Sequence, residues 1–273
     1  MLVSIFAAVS ALAAVVYGFA AHIAAAELWK CLLIFLLGVP ALSLLYILFV
    51  AVVSLFIDRS WPREKQNPLC RAFIADGGGL VCDYCRVRAH VSGMEKLPKD
   101  ERFLFVMNHR SLFDPLTLFH VMKPYNLIFI STPSNLRLPV IGAVGAGACF
   151  LPIDRDNDRE ALKTIKAAQD YLRRGVGSIC IFPEGTRSKT RELLPFHHGS
   201  FKIAQRAPAP LVIASCSGTE KARKRSPFRR TDVYLDILEV IPAEQVRASS
   251  TAELAEHAHD LIAAKLKERE GEV

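Results

Sequence analysis

Hydrophobic positions dominate the first 57 residues, where Glu27 and Lys30 are the only acidic or basic residues. These two residues separate two apolar runs, residues 1–26 and 31–57, each longer than the ~20 residues that a helix needs to cross a bilayer. No positive charge precedes the first run and the second follows almost at once, which disfavours a cleaved signal peptide. The pattern predicts a hairpin of two membrane helices, which either cross the bilayer or enter one leaflet.

Beyond residue 57, short apolar runs alternate with stretches of helical periodicity. Residues 103–107 are continuously apolar and residues 86–91 are apolar at every second position, and both patterns predict strands. Five similar strands are predicted at residues 127–131, 148–153, 178–182, 210–216 and 232–239. Strands that alternate with helices indicate an α/β fold with a mixed, largely parallel sheet flanked by helices.

Two of the intervening helices have clear ends. One begins at residues 156–158 and ends at Gly175, and its apolar positions recur every three or four residues. The other begins with a capping box of Ser250 and Glu253. Its apolar stripe consists of Leu254, Ala258, Leu261, Ile262 and Leu266. We expect this stripe to pack on the sheet.

These patterns divide the chain into three parts. Residues 1–57 form the membrane hairpin, residues 58–84 a connecting segment, and residues 85–273 the α/β domain. Within the connecting segment, residues 68–80 predict a short helix that is stopped by residues 77–79, all glycine.

The net charge of +7 lies entirely in residues 58–273. Arg59, Arg63 and Lys65 directly follow the hairpin, and the positive-inside rule therefore predicts that the domain lies at the cytoplasmic face of a membrane. The densest basic run comprises Lys221, Arg223, Lys224, Arg225, Arg229 and Arg230. It fits either a solvated loop or a surface that attracts anionic lipid headgroups. Because a membrane hairpin accounts for this charge, we predict no nucleic-acid partner.

The seven cysteines show no disulfide framework, and several lie in apolar runs, where a reduced thiol behaves as a small hydrophobic group. Cys82 and Cys85 have the C-x-x-C spacing of a zinc or redox site. No second pair of this kind occurs in the sequence, and only Cys70 and His90 are further ligands nearby. We therefore predict no metal site and interpret the pair as structural.

Three polar motifs follow predicted strands in the order Asn108–Asp114, Phe150–Arg155 and Phe182–Ser188. The ends of parallel strands are the usual position of a site in an open α/β sheet. His109 is the candidate general base, because imidazole titrates near neutral pH and can accept a proton from an alcohol. Asp114 is the candidate carboxylate that orients it.

The spacing of His109 and Asp114 constrains the backbone between them. Five positions along a continuous α-helix would turn their side chains about 140° apart, so the two meet only if residues 109–113 form a turn. Asp114 and Pro115 predict a helix start, with Asp114 as N-cap and Pro115 in the first helical position. Asp114 then serves either as a cap alone or as a cap that also binds His109.

Two arginines are candidate phosphate ligands. Arg187 follows a turn that Pro183 and Gly185 favour, and its guanidinium can bind a phosphate through two parallel hydrogen bonds. Arg155 ends another predicted strand and fits either a second phosphate contact or a surface ion pair. Glu184 fits equally a hydrogen bond to a substrate hydroxyl and a brace for Arg187.

Residues 85–220 resemble the 1-acylglycerol-3-phosphate O-acyltransferase family, which is marked by an N-H-x-x-x-x-D motif and a later F-P-E-G-T-R motif. Residues 108–114 match the first motif, and residues 182–187 match all six positions of the second, in the family's order. The resemblance implies a membrane acyltransferase that transfers a fatty acyl group from acyl-CoA or acyl-carrier protein to the sn-2 hydroxyl of 1-acyl-glycerol-3-phosphate, giving phosphatidic acid.

The resemblance also implies roles for individual residues. His109 and Asp114 would form the catalytic pair. The glycerol phosphate would be bound by Arg155, Glu184, Gly185, Thr186 and Arg187. No cofactor is implied beyond the acyl donor, and an acidic acyl-carrier protein is a further candidate partner for the basic run.

Two departures from the family pattern leave alternative acceptors open. Ile213 replaces the second proline of a fourth family block, and His197 and His198 lie where family members often have lysine. The alternatives are an acyltransferase for another lysophospholipid or for a hydroxylated amino-lipid, and a non-catalytic lipid-binding homologue. The last is disfavoured because His109, Asp114, Glu184 and Arg187 are all intact.

Overall fold

The structure is a computed structural model that describes residues 2–188, 190 and 192–271. The chain divides into two compact units, Met1–Ile57 and Asp58–Val273.

The first unit contains helices α1 (Leu2–Ala20) and α2 (Leu28–Ser54), which pack against each other. Both are long and apolar enough to cross a membrane. A Cβ atom at Gly38 would lie 2.5 Å from the Oγ of Ser10, so the absence of a side chain lets the two helices approach closely. Large apolar side chains along both helices are exposed, as expected of a surface that contacts lipid. The predicted hairpin of two apolar helices is confirmed.

The second unit is an α/β domain. Its helices are α3 (Pro68–Tyr84), α4 (Phe113–Val121), α5 (Pro133–Arg137), α6 (Pro139–Gly147), α7 (Asp158–Arg173), α8 (Lys202–Arg206), α9 (Thr219–Arg225), α10 (Ala243–Ala248) and α11 (Thr251–Gly271). Its strands are β1 (Val87–Ser92), β2 (Leu104–Met107), β3 (Leu127–Ser131), β4 (Leu151–Pro152), β5 (Ser178–Ile181), β6 (Leu211–Ser217) and β7 (Thr231–Ile241).

The strands form one sheet in the order β1-β7-β6-β2-β5-β3-β4. Neighbouring strands are parallel except for β6 and β7, which are antiparallel. The predicted mixed, largely parallel sheet is therefore confirmed, and each predicted strand is present.

Helices cover the sheet on both faces. Alternate strand residues, such as Leu104 and Ile179, belong to a buried core with residues of α7, α8, α10 and α11. On the other face, α3 packs against α4. The ring of Phe119 in α4 meets that of Phe129 in β3 edge-on, with centroids 4.7 Å apart. Helices on both faces explain why β2 and β5 are buried at every position.

Helix α3 continues through the three glycines that were predicted to stop it. A Cβ atom at Gly78 would lie 2.7 Å from the carbonyl oxygen of Leu116, and one at Gly79 would lie 2.8 Å from Nδ1 of His120. The glycines therefore permit close contact with α4, and this packing outweighs their low helix propensity. The prediction of a helix end was wrong.

Other local predictions agree with the structure more closely. In α11, the backbone amide of Ser250 donates to Glu253, and that of Glu253 donates to the Oγ of Ser250, as a capping box requires. The predicted strand at residues 148–153 shortens to the two residues of β4. Cys149, with φ of 64°, turns the chain between α6 and this strand.

All seven cysteines are free. Burial raises the pKa of the Cys82 thiol to about 11. Among residues 2–188, 190 and 192–271, no three His, Cys, Asp or Glu side chains converge as metal ligands would.

Candidate active site

His109 and Asp114 meet at the carboxyl end of β2. His109 follows this strand, and its Nδ1 lies 2.7 Å from Oδ2 of Asp114. The residues between them form the predicted turn, because α4 begins only at Phe113. Since the carboxylate faces Nδ1, that nitrogen carries the proton and Nε2 is the free acceptor. The pair has the geometry of a general base and its orienting carboxylate.

Asp114 is completely buried and holds its position through several donors. Its Oδ2 also accepts hydrogen bonds from the backbone amides of Arg110 and Ser111, each at 2.7 Å. Its Oδ1 accepts one from the hydroxyl of Thr219 at 2.5 Å. These donors fix a charged carboxylate beside the imidazole. Thr219 lies 105 residues away in sequence, and no sequence pattern identified it.

The predicted capping role of Asp114 was wrong. Helix α4 begins one residue earlier, at Phe113, so Asp114 lies in its first turn and Pro115 in the third helical position. The reason is that the carboxylate turns back to the amides of the preceding loop, rather than forward to those of the helix.

The imidazole of His109 also lies on an aromatic ring. It stacks on Phe182 with ring centroids 4.2 Å apart and an angle of 16° between the planes. The preceding residue, Asn108, bonds to both the amide and the carbonyl of Cys216 in β6. These contacts leave the His109 side chain 17% exposed, so a substrate can still reach it.

Glu184 joins the first and third motifs. Its Oε1 accepts a hydrogen bond from the backbone amide of His109 at 2.5 Å, and its Oε2 accepts one from that of Leu194 at 3.0 Å. The amide of Ser188 adds a second link, to the carbonyl of His109 at 2.9 Å. Burial raises the pKa of the Glu184 carboxyl, and the hydrogen bonds from the backbone amides of His109 and Leu194 oppose this shift. The sequence suggested that Glu184 either contacts substrate or braces Arg187. Neither alternative included its contacts with the backbone of His109 and Leu194.

Arg187 lines a cavity of about 560 Å³, here called the basic cavity. Its walls comprise Arg110, Thr186, Arg187, Ser188, Glu220, Lys221, Lys224 and Arg225. Thr186 and Arg187 are exposed. The cavity lies close to Asp114, because the backbone amide of Arg110 and the hydroxyl of Thr219 both donate to that carboxylate. Glu220, which follows Thr219, lines the wall. Cationic side chains outnumber the single carboxylate five to one, so the cavity favours anions.

The basic run therefore contributes to a cavity rather than to a loop alone. Lys221, Lys224 and Arg225 belong to helix α9, directly after Thr219. The sequence left a solvated loop and a surface for anionic lipid headgroups open; these three residues lie in a helix rather than a loop, and Lys224 and Arg225 are exposed.

Arg155 lines a different cavity, here called the histidine cavity, of about 280 Å³. Gly185, His197 and His198 also belong to its wall. Gly185 has φ of 76°, and a Cβ atom there would lie 2.8 Å from Nε2 of His197, so only glycine fits. The two candidate phosphate arginines thus line different cavities, to which the adjacent residues Gly185 and Thr186 of the third motif also contribute.

Comparisons with known proteins show which proteins this chain resembles. Residues 88–217 match the family model described as Acyltransferase. The 1-acyl-sn-glycerol-3-phosphate acyltransferase of Haemophilus influenzae is 26% identical over 182 residues, which cover 65% of this chain and 75% of that protein. The chloroplastic 1-acyl-sn-glycerol-3-phosphate acyltransferase BAT2 of Brassica napus is 33% identical over 185 residues. That match covers 67% of this chain but only 52% of the Brassica protein.

A solved structure shares the fold. The crystal structure of the 1-acyl-sn-glycerophosphate acyltransferase PlsC from Thermotoga maritima is similar, with a TM-score of 0.64 and 22% sequence identity. The similarity covers 83% of this chain and 89% of that one. The resemblance predicted from the motifs is confirmed: residues 88–217 match the acyltransferase family model, and about two thirds of the chain is similar to 1-acyl-sn-glycerol-3-phosphate acyltransferases.

Proposed function

We propose that this chain is a membrane acyltransferase that acylates the sn-2 hydroxyl of 1-acyl-glycerol-3-phosphate, or lysophosphatidic acid, to give phosphatidic acid. The observation that carries the proposal is the 2.7 Å contact between His109 and a buried Asp114, next to a cavity rich in cationic side chains. A base beside an anion site suits an acceptor that carries both a hydroxyl and a phosphate.

The chemistry needs one proton acceptor and no covalent enzyme intermediate. Nε2 of His109 accepts the proton of the acceptor hydroxyl as its oxygen attacks the thioester carbonyl of the donor. The carbon–sulfur bond then breaks, and the proton passes from His109 to the departing sulfur, which leaves as a free thiol. Asp114 stabilises the imidazolium that forms between these steps.

Cysteine nucleophiles do not fit this site. Cys180 and Cys216 lie in strands next to the motifs, but both are completely buried. Burial raises the pKa of each thiol well above its ordinary value, so neither forms the reactive thiolate at neutral pH. Direct transfer to the acceptor hydroxyl is therefore the simpler route.

Arg187 is the proposed main phosphate ligand, since it is exposed in the basic cavity and can form two parallel hydrogen bonds. Arg155 approaches the third motif from the histidine cavity, with its Nε 3.6 Å from the position that a Cβ atom of Gly185 would take. It is the proposed contact for the glycerol end of the acceptor, together with Gly185 and Thr186. Glu184 supports the site by positioning the backbone of His109.

The hairpin suggests where the reaction takes place. Its exposed apolar surface suits the hydrocarbon of a bilayer, in which both the acceptor and the product dissolve. Arg59, Arg63 and Lys65 after the second helix favour the cytoplasmic face, where acyl-CoA and acyl-carrier protein are found.

The direct test is to incubate the purified full chain, in lipid vesicles, with lysophosphatidic acid and an acyl donor. The proposal predicts phosphatidic acid and an equal amount of free thiol. Parallel reactions with acyl-CoA and acyl-carrier protein identify the donor. A lysophospholipid whose phosphate carries a headgroup and a hydroxylated amino-lipid test the alternative acceptors. If one of these is acylated and lysophosphatidic acid is not, the proposed acceptor is wrong, whereas no product with any of them would indicate a non-catalytic homologue.

A further inference from the structure

Three buried polar atoms of the basic cavity have no hydrogen-bond partner among the described residues. They are Nε of Arg110, Oγ of Ser188 and Oε2 of Glu220. Buried polar atoms in folded proteins are nearly always bonded, and each one left without a partner costs free energy. Two of the three, Nε of Arg110 and Oγ of Ser188, can donate and would be completed by an anionic ligand, whereas Oε2 of Glu220 is an acceptor that an anion does not complete.

Among these residues, Arg110 is the one best suited to bind that ligand. Its side chain is only 6% exposed, although it carries a full positive charge. Its sole ion pair within the described chain is with Glu270, whose carboxylate oxygen lies 3.3 Å from Nη1. Glu270 is 61% exposed at the end of α11, and such exposed pairs contribute little free energy. This pair leaves most of the guanidinium's donors available.

The backbone places Arg110 next to the reacting groups. It directly follows His109, and its amide donates to the same Asp114 oxygen that faces the imidazole. Arg187 lies in the wall of the same cavity, whereas Arg155 does not. Arg110 and Arg187 thus line one cavity, in which a single anion would lie near both.

We propose that Arg110 is the second phosphate ligand of this site and acts together with Arg187. The inference rests on the proposed function, in which the acceptor carries a phosphate monoester. On binding, the guanidinium exchanges its long contact with Glu270 for charge-assisted hydrogen bonds to phosphate oxygens, which are shorter and stronger. Lys221 and Lys224 supply further positive charge in the wall of the same cavity.

A purely structural role for Arg110 makes a different prediction. If Arg110 only anchors α11 through Glu270, removing either partner should have the same effect. If Arg110 binds phosphate, Glu270 competes with the ligand, and Glu270→Gln should bind the acceptor as well as the wild type or better.

The experiment measures kcat and KM for lysophosphatidic acid in four variants. They are Arg110→Gln, Arg110→Lys, Glu270→Gln and, as a surface control, Arg174→Gln, which removes an exposed arginine paired with Asp170. We expect Arg110→Gln to raise KM at least about tenfold with a much smaller change in kcat, as loss of uniform binding does. Arg110→Lys should recover part of the affinity, and Arg174→Gln should behave as the wild type.

Calorimetric titration with glycerol 3-phosphate gives a readout that does not require turnover. We expect Arg110→Gln to bind it at least about tenfold more weakly than the wild type, and Glu270→Gln to bind it no more weakly. An unchanged KM and affinity in Arg110→Gln, or equal losses in Arg110→Gln and Glu270→Gln, would overturn the inference. If Arg110→Gln fails to fold, the affinity of Arg110→Lys is compared with that of the wild type and of Glu270→Gln instead. If the wild type binds glycerol 3-phosphate but does not acylate lysophosphatidic acid, the proposed function fails while the role of Arg110 is still tested.

Discussion

Glu184 accepts a hydrogen bond from the backbone amide of His109, 75 residues away in sequence, with a donor–acceptor distance of 2.5 Å. Its second oxygen binds the amide of Leu194. The glutamate of the third motif thus fixes the main chain that carries the candidate base. A residue that is only 3% exposed therefore positions the backbone of the site.

Replacing Glu184 by glutamine should lower both stability and activity. A glutamine side chain has one carbonyl oxygen, so its NH₂ group must face one of the two backbone amides and one hydrogen bond is lost. We expect the loss to cost about 1.5 to 3 kcal/mol of unfolding free energy, less the relief from no longer burying a charge. Chemical unfolding and acyl transfer by the same preparations measure the two effects.

The wild type and the Glu184→Gln variant should also differ in how their stability depends on pH. Burial raises the pKa of Glu184, so the stability gained by protonating it in the folded state is fully present below the ordinary glutamate pKa. This contribution is lost as the pH rises through the folded-state pKa. The unfolding free energy of the wild type, relative to Glu184→Gln, should therefore decrease with pH across this acidic range. A relative increase over the same range would show that the pKa is lowered.

Changing Asp114 to asparagine should reduce acyl transfer by about 10²-fold or more, because the imidazolium loses its stabilising charge and the tautomer of His109 is no longer fixed. Thr219→Val is the matched variant, since it removes a donor to the other oxygen of Asp114 and leaves the contact with His109 in place. We expect a smaller loss in Thr219→Val than in Asp114→Asn. Steady-state rates at saturating lysophosphatidic acid measure the two losses. A larger loss in Thr219→Val than in Asp114→Asn would contradict the proposed role of the Asp114 carboxylate.

Adjacent glycines in α3 should respond differently to alanine. At Gly78 a Cβ atom would lie 2.7 Å from a backbone oxygen of α4, and we expect Gly78→Ala to lower the unfolding free energy by about 1 to 3 kcal/mol. At Gly77 no atom lies within 4 Å of the added Cβ, so Gly77→Ala should be neutral or stabilising by up to about 1 kcal/mol. Denaturant unfolding of both variants checks the contrast. Equal effects would show that propensity, rather than packing, governs this helix.

The end of α11 is held by an ion pair between Arg269 and the buried Asp236 of β7, with oxygen–nitrogen distances of 2.7 and 3.1 Å. Arg269→Ala leaves that carboxylate buried without its partner and should cost about 3 kcal/mol or more of unfolding free energy. Lys267→Ala, at an exposed position of the same helix, is the control and should change stability little.

The Asp236 pair also predicts a pH dependence. Burial alone would raise the pKa of Asp236, but its hydrogen bonds with Arg269 and Ser92 outweigh this and lower it. The resulting stability is present above the ordinary aspartate pKa and is lost as the pH falls through the folded-state value. The difference in unfolding free energy between wild type and Arg269→Ala should therefore shrink on acidification. A difference that grew in acid would contradict the lowered pKa.

The sequence predicted the sheet well because its signals are local. Continuous apolar runs marked the buried strands, and the capping box of Ser250 and Glu253 marked the start of α11. The failures arose where contacts between distant parts of the chain outweighed local preference. The glycines of α3 remain helical because α4 packs on them, which no property of residues 68–84 reveals.

The candidate site was predicted in part for the same reason. The turn that joins His109 to Asp114 could be inferred, since both residues belong to one short motif. The donor from Thr219 and the cavity that Arg110 shares with Arg187 could not, because they depend on where α9 and the third motif lie in space. Arg155 and Arg187 were both predicted to bind phosphate because each follows a strand, and in the structure they line different cavities.

The central claim is that His109 is the general base of an acyl transfer. The most direct measurement is the rate at which the His109→Ala protein, shown to be folded by its unfolding transition, forms phosphatidic acid from lysophosphatidic acid and an acyl thioester. A general base contributes about 10²- to 10⁴-fold in rate, so we predict a loss of at least a hundredfold. A variant that keeps more than a tenth of the wild-type rate would contradict the claim.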